Sequence, residues 1–174
     1  MTGGAKFKPK EYLCRVKIDR NIAVAFTGHR TYDGSSDAAL RAAIRRFYDN
    51  GYRIFLTGMA LGFDLAAGEC AVALRRELPD IAVVCAVPFY GQERRFGADA
   101  RARYGRLAAA ADEVAVLAEN YTPRVYHLRN DFLVDNASAI IAYYDGSAGG
   151  TAYTVRRALK QGLYVENIWQ GLFL

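Results

Sequence analysis

Ala139-Ile140-Ile141-Ala142-Tyr143-Tyr144, followed by Asp145-Gly146-Ser147-Ala148-Gly149-Gly150-Thr151, is an apolar β-type run that ends in a glycine loop where a helical pattern begins. The same sequence of events occurs twice earlier. Asn21 to Thr27 leads into Gly28-His29-Arg30, and Tyr52 to Thr57 leads into Gly58-Met59-Ala60-Leu61-Gly62-Phe63-Asp64. Strand, loop and helix in that order place all three loops at the carboxyl edge of a parallel sheet, where open α/β folds bind ligands. Glycine permits backbone angles that other residues avoid, and it lets main-chain N–H groups approach an oxyanion at a helix N-terminus. A phosphate-bearing small molecule is the expected occupant.

The alternation continues on both sides of these loops. Leu40, Ala43, Ile44 and Phe47 form an amphipathic helical stripe, and Ala67, Cys70, Ala71 and Leu74 repeat the spacing before Pro79. Ile81 to Val87 reads as a third strand, with Tyr104, Leu107, Ala108 and Ala111 marking its helix; Glu113 to Leu117 is a short fourth strand. Thr122-Pro123 signals a helix start, running to about Asn136. Ala139 to Tyr144 is the fifth strand, Gly150 to Gly162 a helix and Leu163 to Ile168 the sixth strand. The pattern predicts a Rossmann-like α/β fold: an open, mostly parallel sheet with helices on both faces. Residues 1–20 lack periodicity and read as an N-terminal arm or extra strand, leaving 21–174 as a single domain.

A chain of 174 residues can bury roughly two thirds of its unfolded surface, so it needs no disulfide or metal to fold. Cys14, Cys70 and Cys85 are widely spaced and the chain has two histidines, which predicts reduced thiols and no metal site. No apolar run reaches membrane-spanning length and the N-terminus does not resemble a secretory signal, so the expected location is the cytoplasm, with no membrane partner. The net charge of +5 favours anionic partners, and Arg94, Arg95, Arg101, Arg103 and Arg106 concentrate it in one segment.

The standard fingerprints of NAD enzymes, P-loop NTPases and α/β-hydrolases do not occur in this sequence. Candidate site residues therefore come from the loops. At Gly149-Gly150-Thr151 the amides, helix dipole and hydroxyl can converge on one phosphate, although a tight turn with Thr151 as N-cap fits the same residues. Asp64 suits a ribose hydroxyl, proton transfer or a plain N-cap, and His29 with Arg30 suits an anion or general acid. Phe89 or Tyr90 can stack on a base while Arg94 or Arg95 meets an anion. Asp131 and Asp135 lie one turn apart on a helix that also carries Arg129 and Asn130, and either a pocket or solvent can receive that polar face.

Five stretches together resemble the YpsA-like family of the SLOG (SMF/DprA-LOG) superfamily: Phe26-Thr27-Gly28-His29-Arg30, Thr57-Gly58-Met59-Ala60-Leu61-Gly62-Phe63-Asp64, Pro88-Phe89-Tyr90-Gly91-Gln92-Glu93, Arg129-Asn130-Asp131 and Gly149-Gly150-Thr151-Ala152-Tyr153. The resemblance implies a Rossmann-like fold, a nucleotide-related ligand and a homodimer or larger homo-oligomer. It implies a ligand-binding set of Thr27, Gly28, His29, Arg30, Gly58, Met59, Gly62, Asp64, Phe89, Gln92, Glu93, Asn130, Gly149, Gly150 and Thr151. Within the superfamily, the Gly58–Asp64 loop looks like that of the single-stranded-DNA-binding DprA proteins. Arg129-Asn130 and Gly149-Gly150-Thr151 look like the motifs of the LOG phosphoribohydrolases, but Thr154 stands at the position of their glutamate. The leading expectation is a nucleotide-binding sensor or regulator without a resident cofactor. The rivals are an N-glycoside hydrolase using Arg129 with Asp64, Glu93 or Asp131, and a single-stranded nucleic-acid binder.

Overall fold

The computed structural model describes residues 17–171, so most of the expected N-terminal arm lies outside the described residues. Among the described residues, six parallel strands and five α-helices alternate: β1 (Ala23–Gly28), α1 (Asp37–Asp49), β2 (Ile54–Thr57), α2 (Phe63–Leu74), β3 (Ala82–Val87), α3 (Ala98–Ala110), β4 (Glu113–Val116), α4 (Val125–Asp135), β5 (Ala139–Tyr143), α5 (Gly150–Lys160) and β6 (Tyr164–Asn167). The strands lie in the order β4-β3-β2-β1-β5-β6 and every pairing is parallel. This is the expected Rossmann-like α/β architecture.

Alternation along β1 builds the two faces. Val24 and Phe26 join Leu40, Ile44 and Phe47 of α1 and Phe63, Ala67 and Leu74 of α2 in one apolar cluster. Ala23 and Ala25 face the other way, into a cluster with Leu133 and Val134 of α4 and Val155 and Ala158 of α5. A third cluster joins Cys85 and Val87 of β3 to Leu65 of α2 and to Tyr104 and Leu107 of α3. Strands buried on both faces read as continuous apolar runs, as β1 and β5 do.

Growth of the sheet runs from β1 outward to β4, then returns through α4 to the opposite side of β1. The strand order therefore reverses between β1 and β5, and the crevice between their carboxyl ends is where this architecture places ligands. Register puts Gly28 beside Tyr143 there, and the His29 amide donates to the Tyr143 carbonyl at 3.3 Å. Among the described residues, no helix is long and apolar enough to cross a membrane.

Candidate anion site at the carboxyl edge

The three glycine loops have the same chain order but different surroundings. In the first two, glycine permits close packing. A Cβ on Gly28 would lie 2.4 Å from the Phe63 ring, and one on Gly62 would lie 2.5 Å from the Arg30 carbonyl. Gly62 also needs its φ of +79°, and the next amide, Phe63, donates to the His29 carbonyl at 3.2 Å. The start of α2 is thus capped by the backbone of the first loop.

An oxyanion does sit among these amides, and it belongs to the protein. Asp64 is 4% exposed, and the amides of Ala60, Gly28 and Gly58 face its carboxylate. Burial raises its pKa to about 6, against the pull of Arg129 and then of those amides. Arg129 Nη1 lies 3.9 Å from Asp64 Oδ2 and donates to the Gly58 carbonyl at 2.6 Å. Burial lowers the Arg129 pKa while Asp64 raises it. Thr57 reinforces the loop by donating its hydroxyl to the Asp64 carbonyl at 2.7 Å.

Met59 follows with a left-handed φ of +56°, unusual for a residue with a side chain. Its amide donates to Thr57 Oγ1 at 3.3 Å, and its carbonyl accepts from Gln92 Nε2 at 3.2 Å. The second loop is therefore tied to the Pro88–Glu93 segment. Gln92 Oε1 is buried with no hydrogen-bond partner among the described residues.

The third loop is open. Gly149 has a φ of +145°, and a Cβ on it or on Gly146 would meet nothing within 4 Å. A Cβ on Gly150 would meet only Asn130 Nδ2, at 3.7 Å. Helix α5 begins at Gly150 with Gly149 as N-cap, so Thr151 is the second helical residue and not the cap. Among the described residues, the Gly150, Thr151 and Ala152 amides have no main-chain acceptor, and the Thr151 hydroxyl has no hydrogen bond. Free amides at the positive end of a helix dipole make an anion site. A cleft of about 720 Å³, lined in part by Thr122, His127, Asp131 and Tyr153, opens beside the same helix turn.

His29 links the first loop to the third. Its Nε2 lies 2.7 Å from Asp145 Oδ1 and 3.1 Å from the Asp145 main-chain nitrogen. Ser147 holds the Asp145 carboxyl below the ordinary carboxylate range, with His29 adding to the effect.

Other expected site residues occupy different surroundings. Arg30 is exposed, Thr27 is buried and Glu93 is half-buried. Phe89 is buried beneath Tyr121, with ring centroids 5.6 Å apart, and Tyr121 is the exposed ring of the pair. Arg95 lies over Tyr121 at 4.2 Å. Tyr126, in the first turn of α4, adds a third ring 6.2 Å from both Phe89 and Tyr121, and neither Tyr121 nor Tyr126 was expected there, because no glycine signal marks the loop after β4 or the start of α4. Asp131 and Asp135 do not confront each other unrelieved, because Arg157 of α5 bridges both, at 3.1 and 2.9 Å. Thr154 turns inward and donates to the Gly150 carbonyl at 3.0 Å.

An open, all-parallel sheet with helices between its strands defines a Rossmann-like α/β protein. The YspA SLOG family model, YpsA, matches residues 35–166, and the chain belongs to this family. The prophage-derived protein YoqJ of Bacillus subtilis is 35% identical over 124 residues, covering 64% of this chain and 72% of that protein. A UPF0398 protein of Bacillus velezensis is 31% identical over 126 residues, covering 71% and 69%. Among solved structures, DNA processing protein A of Helicobacter pylori has a TM-score of 0.62 at 18% identity, over 90% of this chain and 78% of that one. The molybdenum cofactor carrier protein of Chlamydomonas reinhardtii has a TM-score of 0.52 at 19% identity, over 84% and 75%. These two similarities show a shared fold.

Proposed function

We propose that the protein binds a nucleotide or nucleotide-derived small molecule, with a phosphate on the N-terminus of α5, and acts as a sensor or regulator. The observation that carries this reading is the contrast between the loops. The amides facing Asp64 already serve a carboxylate, while those of Gly150 and Thr151 have no main-chain acceptor among the described residues and stand at a helix start beside Asn130 Nδ2. Strand spacing sets the reach. From the end of β5 to the end of β3 is three steps of about 4.8 Å, or about 14 Å, so a ligand anchored at α5 extends past Gly28 and Gly58 toward the Phe89–Gln92 loop. That favours a phosphate joined to a larger body.

The carboxylates that a hydrolase would use are differently placed. Asp64 is committed to Arg129 and the loop amides, and Thr154 replaces the motif glutamate. This favours binding over glycosidic cleavage. Exposed Tyr121 and Arg95, with the single-stranded-DNA binding named for the Helicobacter pylori neighbour, favour nucleic acid as the second reading.

A thermal-shift screen against mono- and dinucleotides tests the first reading, because a ligand that binds only the native state raises the melting temperature. A rise without release of free base supports a sensor. Base release supports the hydrolase, and a response confined to oligonucleotides supports the nucleic-acid binder.

A further inference from the structure

Arg129 carries the charge expected to meet the ligand, yet its bonding points inward. Nη1 serves the Gly58 carbonyl at 2.6 Å and approaches Asp64 at 3.9 Å, while Nε donates to Asn130 Oδ1 at 2.8 Å. The last contact orients Asn130. A guanidinium can only donate, so the oxygen of the carboxamide has to face it and the amino group has to point away. Asn130 is 5% exposed, its Nδ2 has no partner among the described residues, and that nitrogen lies 3.7 Å from where a Gly150 Cβ would stand. A side-chain amide that gives its oxygen to the protein and has no protein acceptor for its nitrogen is free to donate to a ligand oxygen.

From this geometry we infer that Asp64 and Arg129 are positioning residues: they lock the Asn130 carboxamide so that Nδ2 donates to the ligand phosphate held by the Gly150 and Thr151 amides. The inference rests on the proposed reading of the α5 N-terminus. Asp64 holds Arg129, Arg129 holds Asn130, and Asn130 meets the anion. The set that meets the ligand is then made of neutral N–H donors, with the guanidinium charge standing behind it. Such a set suits the acceptor-only oxygens of an ionised phosphate monoester and disfavours a neutral sugar hydroxyl. The second glycine loop thereby supports the third through the α4 pair.

Titration of the ¹⁵N-labelled full-length chain with inorganic phosphate, and separately with AMP, tests this by NMR. The Gly150 and Thr151 amides and the Asn130 side-chain NH2 pair are expected to shift together with one dissociation constant, while the Arg129 Nε–H signal stays nearly fixed. Asn130→Asp keeps the acceptor for Arg129 Nε but replaces the donor with an oxygen. It is expected to melt no lower than wild type and to bind phosphate about tenfold or more weakly. Arg129→Lys keeps the charge beside Asp64 without the Nε–H. It is expected to broaden or shift the Asn130 NH2 pair in the free protein and to weaken phosphate binding severalfold. Wild-type affinity in Asn130→Asp, or an Arg129 Nε–H signal that moves more than the Asn130 pair, would overturn the positioning role while leaving the α5 site standing. No response of the Gly150 and Thr151 amides to either probe would overturn both.

Discussion

Gly58 and Arg129 are in contact from two sides: Nη1 donates to the Gly58 carbonyl at 2.6 Å, and a Cβ on Gly58 would stand 2.7 Å from Arg129 Cδ. The same Cβ would lie 2.6 Å from Asp64 Oδ2, so the glycine leaves room for the buried pair to meet.

Gly58→Ala is therefore expected to destabilise by about 2 kcal/mol through overpacking. The displaced side chains are the ones that orient Asn130, so the variant should also lose nucleotide-induced stabilisation. Chemical denaturation with and without AMP measures both effects.

Removing the partner gives a pH-dependent cost. Arg129→Met leaves Asp64 buried without its counterion, so its folded-state pKa rises above the value of about 6. A carboxyl whose pKa is raised on folding contributes most below its unfolded value, and that contribution is lost as pH rises through the folded value. The loss relative to wild type is expected to be about 3 kcal/mol at pH 8 and clearly smaller at pH 5, where Asp64 takes up a proton. Urea denaturation of both proteins at the two pH values checks the sign.

Gly150 separates stability from binding. It is not among the residues with positive φ, and a Cβ there would have only an ordinary contact with Asn130 Nδ2. Gly150→Ala should leave the melting temperature unchanged or slightly raised, because alanine favours helix by about 0.5–1 kcal/mol. Its methyl would occupy the mouth of the anion site, so the rise caused by nucleotides should disappear in a thermal-shift assay.

Salt dependence distinguishes one phosphate from many. Binding of AMP is expected to weaken only shallowly with salt. A single-stranded oligonucleotide lying along Arg94, Arg95 and Arg101 would show a log–log slope of about −0.7 for each phosphate neutralised. Calorimetry from low to physiological salt measures the slope.

Much of this fold was legible in the chain. Six apolar strand runs and five helical patterns were sufficient because strands buried on both faces and amphipathic helices write different periods. The strand order was not legible, since nothing local shows that the connection through α4 crosses back past β1. At the site, the glycines were visible but their roles were not. Gly28, Gly58 and Gly62 make room for Phe63, Arg129 and the first loop, whereas Gly150 borders open space. A sequence names the small residue without naming the neighbour that needs it small. The inward bonding of Arg129, the burial of Phe89 and the bridging of Asp131 and Asp135 by Arg157 likewise depend on helix rotation and long-range packing.

The most direct measurement is a crystal of the full-length protein soaked with AMP. Phosphate density within hydrogen-bonding distance of the Gly150 and Thr151 amides and of Asn130 Nδ2 is the expected result. Phosphate bound instead among Arg94, Arg95 and Tyr121, or an α5 N-terminus still free of density at saturating nucleotide, would contradict it.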